Sequence, residues 1–238
     1  VQGRMHYACM TEFLAALAVF LCSHSIPAVP QVRAGLVRLL GERLYLAVYA
    51  ATSLLILAWL IGAARRAPFM PLWDVSASAY WAPLLAMPAA IFLLVSGLLA
   101  ANPLSVALRS KAFDVRAPGI VGITRHPVLW AFAIWSAAHM VPNGDLVSAI
   151  LFGGFMVFAL AAMPMIDRRK SRQLGMSWQR LASATSALPF AATLAGRGLP
   201  AWPRGQLLMA TAITVTAYLA LLLAHAAMFG PDPTAVLR

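Results

Sequence analysis

The sequence predicts an all-α, polytopic membrane helix bundle of about six transmembrane helices, and three observations lead there. Hydrophobic residues make up 62% of the 238 residues and charged residues only 11%, more apolar surface than a soluble domain of this size can bury. The apolar residues fall in six runs bounded by charges, glycine or proline. The basic residues lie almost wholly between those runs.

The runs are Phe13–Val32, Leu44–Ala64, Ala79–Ala101, Pro127–Val141, Leu146–Ile166 and Leu207–Phe229. About 20 apolar residues cross a hydrocarbon core, so five are long enough and the fourth is short. Pro142-Asn143-Gly144-Asp145 predicts a tight turn from the fourth helix to the fifth. Pro127 suits a first helical position, and Gly144 lies just past the end. Residues 10–230 are read as one transmembrane domain. Residues 1–9 are read as an N-terminal extension of uncertain status, since Met5 and Met10 could each be a start. Cys22-Ser23-His24-Ser25 offers no Ala-x-Ala cleavage site, so the first run is expected to stay as a span.

Charge gives orientation. Fourteen of the 18 Lys and Arg residues follow the first, third and fifth runs (Arg33 and Arg38, then Arg109 and Lys111, then Arg168-Arg169-Lys170, among others), and Arg4, Arg65, Arg66 and Arg238 lie on the other side. The positive-inside bias puts the fourteen in the cytoplasm and both termini in the periplasm, for a multi-pass protein of a bacterial inner membrane. The net charge of +11 thus follows topology, which argues for a lipid bilayer as partner and against nucleic acid. Cys9 and Cys22 alone form neither a disulfide framework nor a thiolate metal site. The segment from Asn102 to Arg125 reads as an interfacial elbow, and that from Asp167 to Gly205, with Trp178 and Leu181, as a helix in the headgroup plane.

Histidine in hydrocarbon is costly and so points to function. His24 follows an uninterrupted apolar run within the first segment, slightly past its middle, and His139 lies past the middle of the fourth. For each, a cofactor ligand and a helix-packing hydrogen bond are open readings. Together they favour a ligand pair, because bundles build cofactor sites from facing helices. The segment bounds place both near enough to mid-span for one tilted ring. Imidazoles without carboxylates or thiolates suit haem iron better than zinc. His126, beside Arg125 at a helix start, reads as an anion or headgroup contact, with helix initiation the favoured role. His225 reads as interfacial, and Asp167 as a salt-bridged interfacial residue. Met140, Met163 and Met165 read as apolar filler.

Several pieces resemble the NnrU family: His24-Ser25, Gly41-Glu42-Arg43-Leu44-Tyr45, Ile123-Thr124-Arg125-His126-Pro127, Ala138-His139 with Asn143-Gly144-Asp145, Asp167-Arg168-Arg169, and Thr185 through Phe190. The resemblance implies a role linked to nitrite and nitric oxide reduction in denitrifying bacteria. The same pattern is similar to the plant-type 15-cis-zeta-carotene isomerases. That likeness implies a single haem b with His24 and His139 as iron ligands, six-coordinate and suited to electron transfer or ligand displacement. It further implies a membrane redox partner or a carotenoid-like apolar ligand, and cis–trans isomerisation as the enzymatic variant. Those isomerases carry a cysteine three residues before the second histidine. Ser136 stands there in this chain, a poor substitute for a thiolate on iron. Arg125-His126-Pro127 also resembles membrane methyltransferases of the isoprenylcysteine carboxyl type, but the small residue and paired carboxylates of that pattern are missing.

Overall fold

The computed structural model describes residues 2–26, 29–102, 104, 113–114, 116–197 and 201–237, and side chains from residue 6 onward. Arg109, Lys111 and Arg238, used above for orientation, lie outside the described residues, as does most of the elbow after Asn102. Ten helices follow in order among the described residues: α1 Gln2–Ser25, α2 Pro30–Leu40, α3 Glu42–Arg66, α4 Trp81–Leu99, α5 Ile120–Ile123, α6 Pro127–Met140, α7 Leu146–Leu174, α8 Met176–Ala184, α9 Ala191–Leu194 and α10 Gln206–Phe229. Five candidate spans (within α1, α3, α4 with its preceding turn, α7 and α10) are long and apolar enough to cross a membrane, and α6 is a shorter apolar helix. The chain is an all-α membrane helix bundle.

It divides into two compact units, Val1–Trp73 with Gly144–Leu151, and Asp74–Asn143 with Phe152–Arg238. In the first unit α1 packs against α3 through Phe13, Ala16 and Leu17 on one side and Leu60 and Ala63 on the other, all buried. The spacing i, i+3, i+4 puts each set on one helical stripe. Glu12 closes one end of this pair, accepting from Arg66 at 2.6 Å and from the Trp59 indole at 3.1 Å. Beyond α3 the chain straps back: Leu72 and Trp73 donate to the Gly144 carbonyl at 2.7 and 3.2 Å, and Leu146 donates to Met70 at 2.9 Å.

The first span differs from the sequence expectation. The helix runs through the polar start and stops at Ser25, where Pro27 comes next but one; α2 then restarts at Pro30. Proline keeps the residue before it out of helical conformation and suits a first helical turn. α2 has no buried residue and places Arg33 and Arg38 among Val32, Leu36 and Leu39, the pattern of a helix lying in the membrane surface. Gly41, at φ +75°, turns the chain from α2 into α3, a conformation that a side chain disfavours.

In the second unit α4 packs against both α6 and α10. Gly97 permits the first contact. A Cβ there would lie 2.9 Å from Pro127 Cγ and from Val128 Cγ2. Pro88 interrupts α4 and leaves the Leu84 carbonyl without its i+4 donor. Tyr218 of α10 supplies one, its hydroxyl donating to Leu84 O at 3.0 Å. Beneath the second unit's basic end, Ile120 and Val121 of α5 pack with Leu104, Ala100 and Leu181 of α8.

Candidate functional site

His24 and His139 share one local geometry. Each is the last or next-to-last residue of its helix, and each ring bonds the carbonyl four residues back: His24 Nδ1 to Phe20 O at 2.8 Å, His139 Nδ1 to Trp135 O at 2.9 Å. A carbonyl oxygen only accepts, so Nδ1 carries the proton and Nε2 keeps its lone pair. That is the tautomer and anchoring of a metal-ligating histidine. In the first unit the His24 ring stacks on Phe20 (centroids 4.2 Å) with Tyr49 edge-on at 6.0 Å. In the second, the His139 ring lies 5.6 Å from both Trp135 and Phe152, and Asn143 Nδ2 donates to the His139 carbonyl at 2.7 Å. Both side chains are half-buried. His225 differs, its Nδ1 bonding Pro231 O six residues on, beyond the end of α10, at 2.8 Å and at an exposed position.

The end of α1 corrects the expected depth of His24. His24 stands in the last turn of its span, not slightly past the middle. The residues fit haem individually: an anchored imidazole with free Nε2 and aromatic neighbours, in each unit. Ser136, where the isomerases carry cysteine, is fully buried, and its hydroxyl has no hydrogen-bond partner among the described residues.

His126 is committed elsewhere. Its Nε2 lies 2.8 Å from Asp167 Oδ1, and Arg125 clamps the same carboxylate through Nε at 2.9 Å and Nη2 at 2.6 Å. The His126 side chain is 1% exposed, those of Arg125 and Asp167 15% each. Burial holds the His126 imidazole below the ordinary histidine range; Asp167 pulls the other way, and Arg125 adds to the lowering. His126 is therefore a neutral Nε2–H donor at pH 7. The indole face of Trp178 lies 5.4 Å from the Arg125 guanidinium.

Around this trio two distant segments are tied backbone to backbone. Arg125 N donates to Ser186 O at 2.9 Å, Phe190 N to Ile123 O at 2.9 Å, and both the Thr124 hydroxyl and the Trp130 indole to Ala187 O at 2.8 Å. Asn102 Nδ2 takes the Arg125 carbonyl at 3.0 Å. An anion at Arg125 and His126 would have to displace Asp167. His126 stands at the N-cap of α6 without a side-chain capping bond, its ring being held by Asp167 instead. The salt bridge expected of Asp167 forms, with Arg125 as partner. The first-unit Glu12–Arg66–Trp59 contact has no counterpart in the sequence analysis, although a lone Glu at the edge of an apolar run is a signal that a cation must be near.

Residues 12–233 match the family described as NnrU protein. The chain belongs to the NnrU family. The family match spans both compact units and includes His24, Arg125, His126, His139 and Asp167. Among curated relatives, the chain is 35% identical over 117 residues to a 15-cis-zeta-carotene isomerase, chloroplastic, of Arabidopsis thaliana, covering 47% of this chain and 32% of the relative. It is 35% identical over 79 residues to the protein of the same description from Zea mays, covering 33% of this chain and 22% of that one. The chain thus matches about a third or less of these relatives' lengths. No solved structure matches it.

Proposed function

We propose that this NnrU-family membrane protein binds b-type haem, with the Nε2 atoms of His24 and His139 as iron ligands, and serves a redox or sensing role. What supports this is the like anchoring of the two rings, which fixes Nδ1–H on a backbone carbonyl and leaves Nε2 with its lone pair. Bound there, haem supplies one-electron chemistry whose potential the axial ligand and its surroundings set. The chain's own residues hold the rings: Phe20 and Tyr49 about His24, Trp135 and Phe152 about His139. The expected stoichiometry is one haem per chain. A link to nitrite and nitric oxide reduction is the part of the proposal that rests on the family resemblance alone.

The visible spectrum of detergent-purified protein, oxidised and dithionite-reduced, is the test. A Soret band that weakens in His24→Ala and in His139→Ala is the expected result, with haem per chain counted by pyridine haemochromogen. A band untouched by both substitutions, or no band after haem loading, overturns the proposal. A second reading, cis–trans isomerisation of a carotenoid-like polyene, is favoured by the 35% identity to the two isomerases. It is checked by incubating the haem-loaded protein with a cis polyene and resolving the isomers by chromatography.

A further inference from the structure

The corner where α1, α2 and α3 meet holds an open cavity of about 270 Å³. Its walls are Ile26 beyond α1, Leu36 and Leu40 on α2, and Val48 with the rings of Tyr45 and Tyr49 on α3. The volume lies just under the range typical of drug-sized pockets, so the space suits a single alkyl chain better than a polycycle. Leu36 and Leu40 share a stripe of α2 with Arg33, at spacings of three and four residues. The Arg33 guanidinium lies 5.8 Å from the Tyr45 ring, at the polar rim. Its contact with Glu42, 3.5 Å between side chains more than half exposed, is too weak to hold it there against a phosphate. Arg38 and Arg43 add two cations within a few residues and have no ion-pair partner among the described residues.

We infer that this corner is a binding site for one anionic glycerophospholipid. An acyl chain occupies the apolar cavity, and the phosphate meets Arg33 within the field of Arg38 and Arg43. Three features select lipid. Although Ser23, Thr52 and Ser53 also border the cavity, the surface it exposes is almost wholly apolar, as an acyl chain requires and a free phosphate does not. The cavity opens at the end of two spans, where acyl chains meet headgroups. The local charge of three arginines against one glutamate complements an anionic headgroup, each basic residue near such a surface contributing about 1 kcal/mol. A surface helix without a single buried residue gains its own apolar contacts from the same lipid. The cavity shares Tyr49 with the surroundings of His24, and the inference does not depend on haem being bound.

The test uses the full chain, purified in detergent and loaded separately with phosphatidylglycerol or phosphatidylcholine of the same acyl composition. Native mass spectrometry then counts lipid retained through delipidation. The wild type is expected to keep phosphatidylglycerol in preference to phosphatidylcholine. Arg33→Gln cuts that preference about fivefold, the equivalent of one arginine at the surface. Leu36→Trp, which fills the cavity, abolishes retention of either lipid. Equal retention of the two headgroups by the wild type, or undiminished retention by Leu36→Trp, overturns the inference. Should Leu36→Trp fold poorly, wild-type protein with phosphatidylglycerol carrying a diazirine at its acyl terminus decides. Crosslinks to residues 36–49 support the site, and crosslinks confined to other segments overturn it.

Discussion

Replacing Asp167 by alanine tests whether the corner at Arg125 and His126 is a structural lock. The carboxylate is the shared acceptor of an imidazole N–H at 2.8 Å and of two guanidinium nitrogens at 2.9 and 2.6 Å. Its loss leaves a 1%-exposed imidazole and an Arg125 side chain 15% exposed without their acceptor. Removing one partner of a buried ion pair costs roughly 3–5 kcal/mol. The residual exposure of Arg125 lets water take part of that load, so about 3 kcal/mol is expected. The double variant Arg125→Met/Asp167→Leu removes both charges while keeping volume and should recover part of that loss; the remainder persists because the buried His126 N–H still lacks its acceptor. Reversible unfolding in mixed micelles measures both. A loss below about 1 kcal/mol for Asp167→Ala, or a double variant less stable than the single one, would refute the lock and return Arg125 to the anion-binding role.

Other predictions rest on single contacts. Gly97→Ala drives a methyl to 2.9 Å from the Pro127 ring and Val128, neither of which swings away cheaply, and should cost about 1–3 kcal/mol in the same unfolding measurement. Tyr218→Phe strands the Leu84 carbonyl and should cost about 1 kcal/mol, but nothing in a Pro88→Ala background, where residue 88 again offers its own N–H; a double-mutant cycle reads this coupling. His126, with its affinity for protons lowered in the fold, contributes stability that is fully present above the ordinary histidine pKa near 6.5 and is lost as pH falls through its lower folded value. The unfolding midpoint should therefore drop on acidification below about pH 6.5. Much of that slope should vanish in His126→Gln, so an unchanged slope would locate the pH dependence elsewhere.

The spans were legible because an apolar run of span length has few alternatives in water. The segments starting at Leu44, Pro127 and Leu207 agree with α3, α6 and α10 to within two residues. The first span ends sooner than its apolar content suggests, since Val29 and Val32 are as apolar as the residues before them. The signal that divides α1 from α2 was steric: Pro27 and Pro30 in a stretch that also gains Arg33 and Arg38. α8 was legible from Trp178 and Leu181 amid basic residues, and Leu181 is indeed 2% exposed. The partner of Asp167 was not legible. Three cations adjoin it in sequence, yet the structure pairs it with Arg125, 42 residues away, because only the fold brings α7 beside the start of α6. Tyr218 was likewise silent until Pro88 is seen to free a carbonyl within a helix, where lipid offers no substitute donor.

Histidine in a membrane chain is best sorted by what meets its second nitrogen. In His24 and His139 the backbone takes Nδ1, a bond any helix offers to a residue four positions on, so the sequence alone could not separate them from packing residues. In His126 a carboxylate takes Nε2, the very atom an iron would need. A His126 variant should thus lose stability without shifting the position of a haem band. A His24 or His139 variant should do the reverse, losing absorbance while its unfolding free energy changes little in haem-free protein. The contrast holds only if the two chemistries reside on different residues. A His126 variant that remains folded but loses its Soret band would place iron at the Arg125–Asp167 corner instead.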